Sequence, residues 1–322
     1  MRKVIVSFLV MVLVLASVFA QGKSETYPSD KINVIVCKGA GGPTDTGLRY
    51  LMKYCEKYDE NFKTTIENIG GANGLTGMAK GAFAKPDGYT LSAIVVELAI
   101  MQNIPSYNAV VGTEDFRAVS IFVCNPDLVC VKAGKYKDIY DFVDKMNADT
   151  KIGNAGTYGI GDLATKALAE GWNKAYTPVP YPDGDAAALQ ALLADNSEID
   201  AMVCAPSSAL NSQIQAGNVE VLCVVGDRRV ENSNAPLVSE LKAGYALNLN
   251  VNAWAGLAVP KATPDDIFDY LSALCEKATN DPEFIKSVNA TGSIASAING
   301  ANAEAFLLEN AEFYARMLKD AK

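Results

Sequence analysis

The chain contains no histidine, and that absence removes the Ser-His-Asp and Cys-His arrangements, the His-Glu zinc motifs and the imidazole general base together. Basic residues are in deficit too: 28 lysines and arginines face 37 aspartates and glutamates, a net charge of −9. This balance argues against nucleic acid as a partner, because phosphate binding needs a positive surface. No Walker loop and no Cys-x-x-Cys pair is present. Beyond the first twenty residues, no apolar run reaches the length that crosses a bilayer. The sequence nominates no catalytic centre, no metal site and no cofactor.

Seven cysteines are present, an odd number that cannot all pair, and most lie within apolar runs where they read as small buried hydrophobes. Cys124 and Cys130 flank Asn125-Pro126-Asp127. That turn signal predicts a hairpin, which would place the two thiols opposite each other and open the way to a disulfide.

The first twenty residues have the build of a secretory leader. Arg2 and Lys3 precede an apolar stretch from Val4 to Ala16, and Val18-Phe19-Ala20 closes it, so cleavage is expected after Ala20. No cysteine stands near that junction to carry a lipid anchor. Loss of Arg2 and Lys3 would leave 26 basic and 37 acidic residues, a net charge of −11. The mature chain of roughly 300 residues suits two domains, since single cores stop growing at about that size.

Short β-branched runs alternate with amphipathic stretches from Ile32 onward, the pattern of βαβ units on largely parallel sheets, so the class is α/β. Strands are expected near Ile32, Lys63, Thr90, Val119, Leu128, Lys151, Thr177, Ile199, Val219 and Val251. The helix after the first strand carries Leu48, Leu51, Met52 and Cys55 at helical spacing and opens at Pro43-Thr44-Asp45. No repeat or low-complexity linker divides the chain. The strands near Val119 to Lys132 and Leu247 to Val259 are read as crossings between domains, near 124 and 250.

Three loops hold the sites where chemistry could occur. Lys38-Gly39-Ala40-Gly41-Gly42-Pro43-Thr44-Asp45 joins a strand end to a helix start. Glycines let backbone N–H groups approach a ligand, and the helix N-terminus adds partial positive charge, so the loop suits a carboxylate or phosphate. A plain strand-to-helix turn is the alternative. Gly70-Gly71-Ala72-Asn73-Gly74 also precedes a helix, and so does the stretch from Asn154 to Asp162. Loops of this kind at the carboxyl ends of strands form the ligand crevice of doubly wound sheets.

Tyr27-Pro28-Ser29, the two glycine loops just described, Lys85-Pro86-Asp87-Gly88-Tyr89-Thr90-Leu91, Val179-Pro180-Tyr181, Ile199-Asp200 and Trp254-Ala255-Gly256-Leu257-Ala258-Val259-Pro260 follow one another through nearly the whole mature chain. In that order they resemble the solute receptors of tripartite tricarboxylate transporters, the Bug receptors. The resemblance implies a two-lobed Venus-flytrap fold of the type II periplasmic-binding-protein kind with two crossing strands. Lobe 1 would take residues 27–124 and 251–322, and lobe 2 residues 125–250. It also implies a monomeric periplasmic protein that closes on a small carboxylate or amino acid and presents it to membrane transporter subunits.

The same resemblance places ligand contacts at Gly41, Gly42, Pro43, Thr44 and Asp45 on one lobe and at Gly156, Thr157, Tyr158 and Gly159 on the other, with Asn73 and Ser207 as secondary candidates. Ser207 opens a helix after a strand and is equally read as an N-cap. The third loop departs from the family pattern: Tyr158-Gly159-Ile160-Gly161 replaces most of its hydroxyls, and Asp162 stands where the family has histidine. Asp162 either caps its helix or faces the cleft, where it would favour an amine-bearing ligand, and Asp45 poses the same choice. Two further readings stay open: an exported hydrolase working with paired carboxylates, which the sequence does not mark, and a subunit presenting ligand to a membrane kinase.

Overall fold

The computed structural model describes residues 27–181, 184–230, 233–249 and 251–320; the leader lies outside them. Its organising element is the 17-residue strand β4 (Phe116–Lys132). Two sheets share it. In the first, β2 (Thr64–Asn68), β1 (Ile32–Val36), β3 (Thr90–Val95), β9 (Asn252–Pro260) and β4 lie side by side, and β10 (Ala295–Asn299) also pairs with β4. In the second, β4 is followed by β7 (Ala201–Cys204), β5 (Lys151–Asn154) and β6 (Thr177–Pro180), with β8 (Val219–Val225) antiparallel to β4.

Parallel pairs need crossover helices, and these cover the sheets. The first sheet carries α1 (Pro43–Tyr58), α2 (Leu75–Ala82), α3 (Val96–Met101), α8 (Asp265–Thr279), α9 (Pro282–Asn289) and α10 (Ala301–Asp320). The second carries α4 (Ile139–Lys145), α5 (Ile160–Gly171), α6 (Asp185–Leu193) and α7 (Ser208–Gln215). The buried side chains form separate cores. Val119 to Cys124 and Trp254 belong to the first, while Val129, Val131 and Val251 belong to the second, so β4 and the β9 approach both pass from one core to the other. This is a two-lobed α/β fold.

The expected hairpin at Asn125-Pro126-Asp127 does not form, because the strand finds long-range partners instead. Asn125 Oδ1 accepts from the Ile294 N–H at 2.7 Å, and the Cys124 N–H donates to the Ile294 carbonyl at 3.1 Å. Pro126 is registered against Asn252, the last pair of the β4–β9 ladder. Beyond it β4 changes partners to β8 and β7, so the missing N–H of proline falls at a break in the ladder. Cys124 and Cys130 are consequently about 20 Å apart along one extended strand, which rules out a disulfide between them. All seven cysteines are buried and free.

The short strand β10 was not legible in its sequence, Ala295-Ser296-Ala297-Ile298-Asn299. It is held by tertiary pairing, with Ala295 opposite Val123 and Ile298 opposite Ile121.

Candidate functional site

Between the two sheets lies a cavity of about 630 Å³. Its wall on one lobe is the loop after β1 with the start of α1 (Lys38, Gly42, Pro43, Thr44), Asn73 and the start of α3 (Val96, Glu97). Facing these are the loop after β5 (Gly156, Thr157, Gly159) and the start of α6 (Gly184, Asp185), with Asn125 of β4 and Trp254 of β9 also on its surface. A second hollow of about 640 Å³ adjoins it, shares Gly42, Pro43 and Asp185, and extends from Gly41 to Ser207.

Three helices begin at this cavity with glycine as N-cap: α1 at Gly42, α5 at Gly159 and α6 at Gly184, none with a side-chain capping bond. A helix start leaves its first N–H groups without intrahelical acceptors and carries partial positive charge. With glycine at the cap, no side chain occupies those donors. Gly156 at φ +124° and Gly41 at φ +82° take backbone conformations that glycine adopts readily, and an added Cβ at either would touch nothing within 4 Å. Conformation, not crowding, calls for glycine there.

Of the residues singled out from sequence, Gly42, Pro43, Thr44, Asn73, Gly156, Thr157 and Gly159 line the cavity, and Gly41 and Ser207 line the adjoining hollow. Asp45 and Tyr158 line neither. Asp45 is 3% exposed; its carboxylate accepts from the Gly41 N–H, Arg49 Nε and Asn68 Nδ2, each at 2.9 Å. Burial pushes this carboxyl up, but the Arg49, Gly41 and Asn68 hydrogen bonds outweigh it and hold it below the usual range. Asp162 is committed in the same way, to the Tyr158 N–H at 2.9 Å and Lys166 at 2.8 Å. Both acids bind their own loops. Ser207 Oγ accepts from the Leu210 N–H at 3.2 Å, the N-cap arrangement. The Tyr158 ring packs edge-on to Tyr107, with centroids 6.4 Å apart.

Sequence reasoning placed Lys38 beside the first loop but passed over Glu97 and Asp185 on the cavity wall and the buried Asp127. Lys38 Nζ donates to Glu97 at 2.7 Å and to the Asn73 carbonyl at 3.1 Å. Burial lowers the affinity of Lys38 for its proton, and Glu97 more than restores it, leaving the ammonium above its ordinary range. Asp185, the first residue of α6, has its carboxyl pushed up to about 7 by burial and then by Glu97. Asp127 is fully buried with neither oxygen hydrogen-bonded among the described residues, and burial, Asp185 and Glu97 drive its carboxyl well above normal. A signal for Asp185 existed: Gly184-Asp185 is another glycine-to-helix junction after a strand.

The fold is that of periplasmic solute-binding proteins. Residues 61–321 match the family described as the tripartite tricarboxylate transporter family receptor, and the chain belongs to that family. The UPF0065 protein of the TAR-I ttuE-ttuC' intergenic region of Agrobacterium vitis is 28% identical over 274 residues, covering 84% of this chain and 77% of the relative. A ligand-free TctC solute-binding protein from Polaromonas has the same fold with a TM-score of 0.76 at 24% identity, covering 92% of this chain and all of that one. The malate-bound MatC of Rhodopseudomonas palustris superposes with a TM-score of 0.73 at 22% identity, over 90% of this chain and 99% of MatC. Among the described residues, no helix is long and apolar enough to cross a membrane.

Proposed function

We propose that the protein is a periplasmic receptor that captures a small carboxylate between its lobes and delivers it to the membrane subunits of a tripartite tricarboxylate-type transporter. In this reading it is an exported, monomeric, non-enzymatic protein freed of its leader. Lobe 1 comprises residues 27–124 and 251–322, and lobe 2 residues 125–250. One observation carries the ligand class: the uncapped glycine starts of α1, α5 and α6 meet at one cavity from both lobes. Fixed N–H donors there replace water around an anion, and bringing the lobes together completes the set. The contacts are Gly42, Pro43, Thr44 and Asn73 from one side and Gly156, Thr157 and Gly159 from the other, with Gly41 and Ser207 in the adjoining hollow. Asp45 and Tyr158 act by shaping the two loops. The shared fold of malate-bound MatC supports a carboxylate.

The test is a thermal-shift panel of mono- and dicarboxylates and amino acids on refolded, ligand-free protein. A true ligand raises the melting temperature in a concentration-dependent way, by about 2.7 kcal/mol of added stability at 100 times its Kd, and native mass spectrometry recovers it unchanged. A folded protein that no carboxylate in the panel stabilises overturns the receptor reading.

A further inference from the structure

Asp185 is the acidic group in the cavity that has no opposite charge of its own. Glu97 is already paired with Lys38 at 2.7 Å. The Asp185 side chain makes no hydrogen bond or ion pair among the described residues, and the charge it feels most strongly is Glu97, of its own sign. Asp127, fully buried and without a hydrogen-bonding partner among them, likewise feels only acids, Asp185 and Glu97. Lys38 is the single base among the cavity's described lining residues, against two acids.

An acid at the first position of a helix is ordinarily favourable, because it meets the partial positive charge of the N-terminus. That explanation suits a solvated side chain. Here Asp185 is only partly exposed, on the surface shared by the two hollows, and burial and the nearby Glu97 both disfavour its charged form. A second carboxylate brought to this wall would add a third negative charge beside Glu97 and Asp185. An ammonium there would meet an acceptor that nothing else occupies.

Resting on the receptor reading, we infer that the ligand is an aminocarboxylate, its carboxylate held by the glycine-started helices and its ammonium held by Asp185. The cavity then binds a zwitterionic head with each charge against its complement: helix starts of both lobes for the anion, the first side chain of α6 for the cation. Asp185 is the specificity-determining residue, and the aminocarboxylate is selected over its deaminated counterpart by the unsatisfied acid it neutralises.

Isothermal titration with matched probes at pH 8 tests this: L-aspartate against succinate, L-glutamate against glutarate and L-alanine against propionate, on wild type, Asp185→Asn and Asp185→Glu. In at least one pair the amino compound should bind wild type tenfold or more tightly than its partner. Asp185→Asn should erase that preference and leave or improve the deaminated ligand's affinity, whereas Asp185→Glu, which keeps the charge, should retain it. Equal or tighter binding of the deaminated partners, or a preference that survives Asp185→Asn, overturns the inference while leaving a carboxylate receptor standing. Failure of all six probes to bind folded wild type sinks both this inference and the reading beneath it.

Discussion

At the start of α1, Gly41 sits one residue before the cap at φ +82°, Gly42 is the cap, and Asp45 reaches back from the first turn to accept the Gly41 N–H while Arg49 grips it from the next turn. At the start of α5 the same places are held by Tyr158 at φ +60°, Gly159, Asp162 and Lys166. The two lobes thus carry one device used twice. In each, an acid pins the loop from behind, so the cap itself is left to glycine and the helix donors stay open. Asp45, read from the sequence as a ligand contact, and Asp162, read as either a cap or a cleft-facing acid, both accept from their own loops. The differences lie in the supports: Asn68 gives Asp45 an additional partner, and the second residue after the cap is Thr44 in one helix and Gly161 in the other.

That last difference should give the largest effect. A Cβ on Gly161 would run into the Val203 carbonyl, where α5 lies directly on β7. Gly161→Ala must therefore push helix from sheet, and we expect a loss of about 2–3 kcal/mol in urea denaturation. Thr44 is only partly buried and its side chain makes no hydrogen bond among the described residues, so Thr44→Ala should stay within about 0.5 kcal/mol of wild type. Equal costs at the two sites would show that the lobes share their packing as well as their pinning.

Next come the two pinning acids. Asp45→Asn should cost about 2 kcal/mol and Asp162→Asn about 1 kcal/mol at pH 7, in the order of the partners each loses. The Asp45 carboxyl is held below its unfolded value, so its contribution is complete above that value and vanishes as pH falls through the folded one. Urea titrations of wild type and Asp45→Asn should draw together as pH falls below the ordinary aspartate value of about 3.9 and through the lower folded one. A gap that persists there would mean that the substituted amide disturbs packing, not charge.

Asp185 gives the opposite sign. Its folded carboxyl is raised to about 7, so between the unfolded value and 7 the native state holds a proton that the unfolded chain has released, and stability falls as pH rises through that window. Asp185→Asn should stabilise the ligand-free protein by about 1–2 kcal/mol at pH 8 and by nothing measurable at pH 4. A flat difference across that range would place Asp185 in solvent and remove the electrostatic cost on which its role as an ammonium acceptor rests.

How much of this the sequence carried depended on whether the deciding contact was local. The alternation of β-branched and amphipathic runs marked the α/β class, and Pro43-Thr44-Asp45 marked the start of α1, because helix starts are written in adjacent residues. The continuity of β4 was not legible: Asn125-Pro126-Asp127 spells a turn locally, and only Ile294 and Asn252, far along the chain, supply the partners that keep it extended. The glycine loops were found by composition. Asp185 and Glu97 were not, since an acid at a helix start looks the same whether it faces water or a cavity, and only the folded lobes bring these two together.

The smallest expected effects come from exchanging the residue before the cap. A non-glycine residue at positive φ carries a cost of about 1 kcal/mol, and Tyr158 bears it while Gly41 does not. Nothing surrounds Gly41 within 4 Å of an added Cβ, so Gly41→Tyr should lose about that amount through backbone conformation alone. Tyr158→Gly should recover it, but it also removes the ring that packs edge-on to Tyr107, a contact of about 0.5–1.5 kcal/mol. The two effects nearly cancel, and the net change should be under about 1 kcal/mol in the ligand-free protein. Tyr158→Asn separates them, because asparagine tolerates this backbone region better than tyrosine yet has no ring. If Tyr158→Asn and Tyr158→Gly unfold at the same denaturant concentration as wild type while both weaken ligand binding, Tyr158 is kept for what it does between the lobes. If both are stabilised and binding is unchanged, the strain in the second loop serves nothing that the first loop lacks.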